Sequence, residues 1–212
     1  MAVTDEITYY MRPVNGDDSA DGMSFATAWK TWRHTFNTLT NAGGYTPGAT
    51  FWGSRLLLAN EGESYTGPYH GPTGAEYDYR IDSLFTSSGN QFMIQGVSSD
   101  GNAYEDVNFV FDLSGFTYDY WLYCFASANV NSANGLSFKN ITWRGMSAGD
   151  STGGAGLVTT LYDNEADRML SYDNCIFEDN EVSQSLFGYG GYNASYDFIN
   201  CIFRRNNSYN SS

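Results

Sequence analysis

One pattern of apolar and polar residues is repeated along the chain. Three stretches of eight residues carry an apolar side chain at the first, third, sixth and eighth places and asparagine at the fifth: Leu136–Trp143, Leu170–Phe177 and Tyr196–Phe203. These are the Leu136 repeat, the Leu170 repeat and the Tyr196 repeat. A weaker copy, Tyr104–Phe111, keeps the asparagine as Asn108 but has a charge at the third place. The four copies start 32, 34 and 26 residues apart.

Spacings of this size are typical of stacked units that bury a face against one another. The alternation within each copy has the period of a β-strand, and asparagine suits a bend because it tolerates left-handed backbone angles. Strand, bend and strand in each repeat predict an all-β fold, a right-handed parallel β-helix of about six or seven coils. Stacking would align one asparagine from each copy in a ladder: Asn108, Asn140, Asn174 and Asn200.

Cys175 and Cys201 occupy the same place in two successive repeats. The expected separation of about one strand spacing is compatible with a disulfide. A reduced, buried pair is the preferred interpretation, because three cysteines do not form a disulfide framework and the chain opens without a secretion signal.

The N-terminal region predicts a strand and the one good helix. Ile7–Arg12 has the composition of a strand, and Ser24 is placed to cap a helix from about Phe25 to Leu39. Trp29, Trp32 and Phe36 would share one face of that helix, which we expect to cover the open edge of the first coil. The chain thus divides into residues 1–50, with strand, loop and capping helix, and residues 51–212, with the β-helix coils.

Composition and charge argue against some classes of binding partner. The net charge is -14, with only ten lysine and arginine residues, which argues against nucleic acid and anionic membranes. No run approaches the roughly 20 apolar residues of a membrane span. With no signal-like opening, we expect synthesis in a cytoplasm. Nothing in the sequence calls for a cofactor.

The sequence resembles the right-handed parallel β-helix superfamily, which has the pectate-lyase-like fold. The resemblance lies in the repeated Asn-Cys-Ile-Phe motif, in Leu56–Gly67, and in an N-terminal signature: Tyr9–Met11, Asn15–Asp18, Asp21–Ser24 and Ala28–Thr31. It implies the fold, and its members include polysaccharide lyases and hydrolases, bacterial surface proteins, and phage tail spikes and fibres. Function must therefore be argued from a site.

One metal site and one catalytic site are candidates. Asp17, Ser19 and Asp21 have the spacing that begins a calcium loop, although the glutamate expected at the twelfth place is Ala28, and the resemblance implies a turn instead. Glycoside hydrolysis needs two facing carboxyl groups. The candidates are the inserted-loop residues Asp163, Glu165 and Asp167, and Glu178 and Asp179 after a strand; solvated surface charge explains the same residues.

Aromatic residues are the candidates for contact with a glycan, because they offer sugar rings an apolar face and a polar edge. The set most suited to this role is Tyr118, Tyr120, Trp121 and Tyr162, near two enlarged intervals of the repeat, at 147–156 and 162–168. Packing or turn formation explains at least half of the tyrosines equally well.

Three classes of function follow. The preferred one is a virion appendage, a phage tail spike, tail fibre or head fibre at the virion surface, with other virion proteins as partners and host-surface polysaccharide as a further contact. The others are a polysaccharide lyase or hydrolase and a bacterial surface adhesin. We expect a homo-oligomer, with a trimer favoured. Because nine polar residues after Phe203 cannot cover an apolar coil, we also expect the β-helix to continue beyond 212 or to be capped by another chain.

Overall fold

The computed structural model describes residues 7–39, 54–67, 80–82, 92–102, 107–115, 120–125, 135–147, 156–161, 168–182, 186–187 and 194–208. This part of the chain is mostly β, with parallel strands and one α-helix, α1 (Trp32–Leu39). The prediction of a mostly β chain built from parallel strands is confirmed. At eight residues, α1 is too short to cross a bilayer, and the described residues include no other helix that could do so.

Fifteen strands are described, each of them two to six residues long. In chain order they are β1 (Ile7–Met11), β2 (Ser54–Ala59), β3 (Arg80–Asp82), β4 (Phe92–Val97), β5 (Phe109–Asp112), β6 (Tyr120–Phe125), β7 (Gly135–Lys139), β8 (Ile141–Arg144), β9 (Gly156–Leu161), β10 (Arg168–Asp173), β11 (Ile176–Glu178), β12 (Glu181–Val182), β13 (Ala194–Ile199), β14 (Ile202–Arg204) and β15 (Asn207–Ser208).

The strands form four open sheets, and every strand pairing within them is parallel. The largest has the order β1-β2-β4-β7-β10-β13, and a second has the order β5-β8-β11-β14. Two smaller sheets have the orders β3-β6-β9 and β12-β15. With the exception of β1 and β2, the paired strands are not consecutive in the chain. The chain therefore stacks one repeat on the next.

The register confirms the alignment of the three strong repeats. Leu136 is paired with Leu170, which is paired with Tyr196. On the strand after the bend, Trp143 is paired with Phe177, which is paired with Phe203. Places that match in sequence therefore match in space. This follows because only an in-register stack keeps every apolar place of one repeat on the apolar places of the next.

For the weaker copy, Tyr104–Phe111, the predicted alignment with the other repeats is confirmed only in the second half. Phe109 and Phe111 are paired with Ile141 and Trp143, as predicted. The strand that pairs with β7 on this side is, however, β4, with Phe92 opposite Leu136. The prediction that Tyr104–Val107 supplies this strand is wrong. Its third place is the charged Asp106, whereas β4 brings apolar Ile94 opposite Phe138.

The predicted helix is real but shorter than expected. Ser24 caps a single 3-10 turn, Phe25–Thr27, through a reciprocal capping box with Thr27. Trp29 then lies in extended backbone, where its N–H donates to the Tyr10 carbonyl and its own carbonyl accepts from Arg12. The prediction of one helix from Phe25 is therefore wrong, because hydrogen bonds to β1 hold this stretch extended and α1 begins only at Trp32.

The core consists of aromatic columns that run from repeat to repeat. Phe138, Tyr172 and Phe198 stack with centroid separations of 5.2 and 5.1 Å. Beside them, Trp143, Phe177 and Phe203 stack at 5.0 and 4.8 Å. At the other end, α1 places Trp32 against Phe111, with 5.2 Å between the ring centroids. Stacked rings of this kind add roughly 0.5–1.5 kcal/mol per pair beyond the area that they bury.

Candidate functional site

The bend between the two strands of each repeat is made by asparagine. Asn140, Asn174 and Asn200 all have positive φ, at 53°, 52° and 53°. The side-chain amide of Asn174 donates to the side-chain oxygen of Asn140 at 2.9 Å. The backbone N–H groups of Asn140 and Asn174 donate to the Asp173 and Ile199 carbonyls of the next repeat. The bend thus links successive repeats through both backbone and side chain.

Asn108 does not form an asparagine bend like those of the three strong repeats. Its side-chain amide donates to the Thr142 hydroxyl at 3.3 Å, and its carbonyl accepts from the Asn60 amide at 2.7 Å. Its φ is not positive. At the place where β7 continues into Asn140, β4 instead has Gly96, whose carbonyl accepts from the Asn140 amide at 3.4 Å. The weaker copy therefore forms no asparagine bend of its own.

A second asparagine pair, missed in the sequence, closes the other bend. Asn180 and Asn206 each stand three residues after the last aromatic of their repeat, Phe177 and Phe203. The Asn180 amide donates to the Asn206 side-chain oxygen at 3.0 Å and to the Trp143 carbonyl at 3.1 Å. The sequence could have revealed this pair, because both asparagines follow the eighth place of their repeat by three residues. The repeated motif is therefore eleven residues long and not eight.

The two cysteines of the repeats are free thiols. The Cys175 thiol donates to the Phe138 carbonyl at 3.6 Å, and the Cys201 thiol donates to the Tyr172 carbonyl at 3.3 Å. Burial raises the pKa of Cys175 to about 12, so this thiol is protonated and unreactive at neutral pH. Cys175 is thus a small buried residue and Cys201 a half-buried one, and each also bonds the repeat before it.

The strand ends of the second sheet form a ladder of alternating charge. Asp112, Arg144, Glu178 and Arg204 are the last residues of β5, β8, β11 and β14, and they follow one another in register. Arg144 donates through Nε and Nη2 to Asp112 Oδ2, at 3.1 and 2.9 Å. Arg204 donates through Nε to Glu178 Oε2 at 2.6 Å. Opposite charges on neighbouring strands favour this register over a slipped one.

A groove of about 420 Å³ runs along this charge ladder. Asp179 lies on its rim with a φ of 55° and accepts from Arg205 Nη2 at 2.7 Å. The hydrogen bond from Arg205 lowers the pKa of Asp179. For Asp112, burial raises the pKa, but hydrogen bonds from Ser114 and Arg144 outweigh it, so that the pKa is lowered.

Asp179 and Glu178, the two catalytic candidates in this groove, are both paired with arginines. A general acid must hold its proton near neutral pH, which requires a raised pKa. Asp179 has a lowered pKa, and Glu178 is in ion pairs with Arg204 and, at 3.7 Å, with Arg205. Asp163, Glu165 and Asp167 lie outside the described residues, and their proposed catalytic role stays a prediction.

The loop proposed for calcium uses its carboxylates to bind its own backbone. Asp17 accepts from the Ser19 N–H at 2.9 Å, and Asp21 accepts from the Met23 N–H at 3.0 Å. Asp18 accepts from the Lys30 and Thr31 N–H groups, at 2.8 and 2.9 Å. Within the described part of the chain, no three His, Cys, Asp or Glu side chains group so that they could hold a metal. Calcium binding at Asp17, Ser19 and Asp21 stays a prediction.

The aromatic candidates for glycan contact fall mostly outside the described residues. Tyr118 and Tyr162 are not described, and for Tyr120 and Trp121 only the backbone is, as the start of β6. Among the tyrosines that are described, Tyr65 is buried, and its hydroxyl accepts from the Trp32 N–H at 2.9 Å. Tyr65 is therefore a core residue that fastens α1 to the sheets.

Glu61 is a further residue that the sequence did not single out. Its carboxylate accepts from Arg12 Nε at 3.0 Å, from the Val14 N–H at 2.8 Å and from the Asn15 amide at 2.7 Å. Burial raises its pKa, but these hydrogen bonds outweigh that effect and lower it. Glu61 ties the N-terminal loop to the end of β2. No short motif marks such a contact, because the partners are about 47 residues apart.

The chain was compared with protein-family models, curated proteins and solved structures, and none of them matches it.

Proposed function

We propose that the chain is a right-handed parallel β-helix that forms the rigid part of a virion appendage, such as a phage tail spike, tail fibre or head fibre. Three observations support the β-helix: parallel pairing throughout the described sheets, in-register stacking of three repeats, and a left-handed asparagine at the same bend in each. The resemblance of the repeated motif to β-helix proteins supports it as well.

The pairing of charges between repeats is the observation that favours a structural role. A catalytic carboxylate is expected to face substrate, whereas Glu178 and Asp179 face arginines of the next repeat. Asp112 and Arg144 are paired in the same way. Ladders of hydrogen bonds, rings and charges resist bending of one repeat against the next, which is the property required of a projecting rod.

The proposed partners follow from this role. Other virion proteins would hold the appendage, a homo-oligomer and in particular a trimer would shield sheet edges, and host-surface polysaccharide would be bound through aromatic residues. Tyr118, Tyr120, Trp121 and Tyr162 are the residues proposed for that contact. The acidic surface, with a net charge of -14, disfavours nucleic acid and anionic lipid as partners.

Immunogold labelling of purified virus particles, with antibodies against this chain, tests the proposal directly. We expect gold particles at one defined position on intact particles and none on particles lacking the protein. Absence of the protein from particles would defeat the virion proposal.

A polysaccharide assay distinguishes the enzyme from the appendage. The proposal expects the purified chain to bind host-surface polysaccharide without releasing oligosaccharides. Release that is lost in Asp163→Asn or Glu165→Gln, but kept in Asp100→Asn on a separate turn, would assign the chain to the polysaccharide-degrading enzymes.

A further inference from the structure

The charge ladder of the second sheet lines a groove on the outer face of the stack. Its first three residues directly follow aromatic residues that are 0% exposed, Phe111, Trp143 and Phe177. Because successive side chains of a strand point to opposite faces, the charged residues point outward. Four strands spaced by about 4.8 Å give the ladder a length of roughly 14 Å, which is enough for a short oligosaccharide.

The groove is open along the side of the stack, and its exposure does not come from where the sequence ends. Arg144 lies inside the second sheet, with β5 on one side and β11 on the other, and its side chain is still 40% exposed. A further repeat stacked on β14 would add one place to the ladder and would leave Arg144 open to the same side. The groove is therefore a feature of the face of the stack.

The three arginines of the groove each keep one donor group unused. Arg144, Arg204 and Arg205 bind their carboxylate partners through Nε and Nη2. The third nitrogen, Nη1, has no partner in the described part of the chain for any of the three. Since Nη1 carries two N–H groups, each arginine can still donate to a ligand that lies in the groove.

Glu178 supplies the matching acceptor. The residue is only 8% exposed, and its contacts with Arg204 and Arg205 are all made through Oε2. Its other oxygen, Oε1, has no partner among the residues that the structure describes. An ionised carboxylate accepts hydrogen bonds through both oxygens, so Oε1 can accept from a ligand held beside the arginines.

The balance of charge in the groove selects the class of ligand. Three arginines and three carboxylates line it, so their formal charges cancel. An anion would meet the unused oxygen of Glu178, and a cation would meet the three guanidinium groups. A hydroxyl group both accepts and donates, and it can therefore bind Nη1 and Oε1 at the same time.

We propose that the groove along the charge ladder is a binding site for an uncharged, hydroxyl-rich oligosaccharide. Its hydroxyl groups accept from Nη1 of Arg144, Arg204 and Arg205 and donate to Oε1 of Glu178. This places the proposed polysaccharide contact on the strand ends of the second sheet. The inference rests on the proposed function only for the host-surface source of the glycan.

An array of neutral and acidic oligosaccharides from bacterial surfaces, probed with the purified fluorescent chain, tests the class of ligand. We expect binding to neutral members and none to acidic members. Because no net charge is involved, the affinity should change by no more than about twofold when the salt concentration rises from roughly 0.05 to 0.5 M. The array measures binding alone, whereas immunogold labelling tests the virion role, so either proposal can fail without the other.

Two variants test the position of the site with the oligosaccharide that the array selects. Arg205→Gln removes an unused donor, and Glu178→Gln removes the carboxylate. Each should weaken binding by about tenfold, as expected for the loss of a hydrogen bond to a charged group. Because Arg205 is 61% exposed, its replacement should leave the fold intact, and circular dichroism checks both variants.

Lys139→Gln is the matched control. Lys139 pairs with Asp173 of the next repeat at 3.6 Å, on the largest sheet and not in the groove. Its replacement removes one positive charge from an ion pair between repeats, as Arg205→Gln does. The affinity for the oligosaccharide should stay within about twofold of that of the unchanged protein.

Neutral binders that are weakened by Arg205→Gln and Glu178→Gln, but not by Lys139→Gln, would support the site. Binding confined to acidic oligosaccharides would overturn the proposed ligand class. Absence of binding across the array, or equal affinities of Arg205→Gln and Lys139→Gln, would overturn the site itself. Binding that is lost in Trp121→Ala but kept in Arg205→Gln would assign the contact to the aromatic residues instead of the groove.

Discussion

Asn174 donates its side-chain amide to the side-chain oxygen of Asn140 at 2.9 Å, and both residues adopt left-handed backbone angles. One residue type thus meets two needs at once. Asparagine tolerates positive φ better than other non-glycine residues, and its amide can both donate and accept. The link between repeats is therefore made at a point where the backbone turns.

Substitutions at Asn140 should separate these two contributions. Asn140→Gly keeps the left-handed backbone but loses the hydrogen bonds, and we expect a loss of about 1–2 kcal/mol. Asn140→Ala loses the bonds and also strains the backbone, for a loss of about 2–4 kcal/mol. Free energies of unfolding from urea titrations measure both.

Asn200 supplies the control for this prediction. It has the same φ of 53° but is exposed, so Asn200→Ala should cost only the backbone strain of about 1 kcal/mol. If Asn140→Ala and Asn200→Ala were equally destabilising, the bond between Asn174 and Asn140 would contribute nothing.

Gly96 is required by the close approach of two backbone segments. A Cβ atom at this position would lie 2.1 Å from the Asn140 carbonyl oxygen and 2.7 Å from the Phe109 nitrogen. Neither neighbour is a side chain that can rotate away. We expect Gly96→Ala to destabilise the protein by about 3 kcal/mol or more, seen as a lower melting temperature.

Gly115 is the matched control for Gly96. Its Cβ would meet nothing within 4 Å, and its φ is not positive. Gly115→Ala should therefore change the stability by no more than about 0.5 kcal/mol. A tolerated alanine at Gly96 would mean that β4 does not lie against Asn140 and Phe109.

The place of an aromatic in its column should determine its contribution to stability. Phe177 is stacked between Trp143 and Phe203 and is fully buried, so Phe177→Ala should cost about 3–5 kcal/mol. Phe203 occupies the same register place but is exposed on one side, and Phe203→Ala should cost about half as much. Chemical denaturation of the two variants measures the ratio, and equal losses would contradict the difference in burial.

Glu61 should make stability dependent on pH in the acid range. Its folded pKa is lowered from the usual 4.5, so its contribution is fully present above that value and is lost as the pH falls through the folded pKa. Glu61→Gln should cost about 2 kcal/mol at pH 7, because Arg12 loses its ionised partner. The difference from wild type should shrink as the pH falls below about 4.

Glu63→Gln is the control for this measurement. Glu63 is exposed two residues away, and its replacement should change the stability at pH 7 by no more than about 0.5 kcal/mol. A Glu61→Gln effect that stayed constant from pH 7 to pH 3 would show that shape, and not charge, holds the N-terminal loop.

The sequence by itself determined which residues stack. The period-two alternation and the fifth-place asparagine aligned three repeats correctly, because a slip of one residue would expose every apolar side chain. It also indicated a helix near the N-terminus, although α1 begins at Trp32 and not at Phe25. The same argument extended to eleven residues would have found Asn180 and Asn206.

Only the tertiary structure decided which segments meet when the repeat is imperfect. It put β4 in place of Tyr104–Val107 and held Trp29 extended against β1. Each of these contacts joins residues that are far apart in the chain. Which segment pairs with which depends on the number of residues that each loop between strands contains. A local pattern of apolar and polar residues does not encode that number.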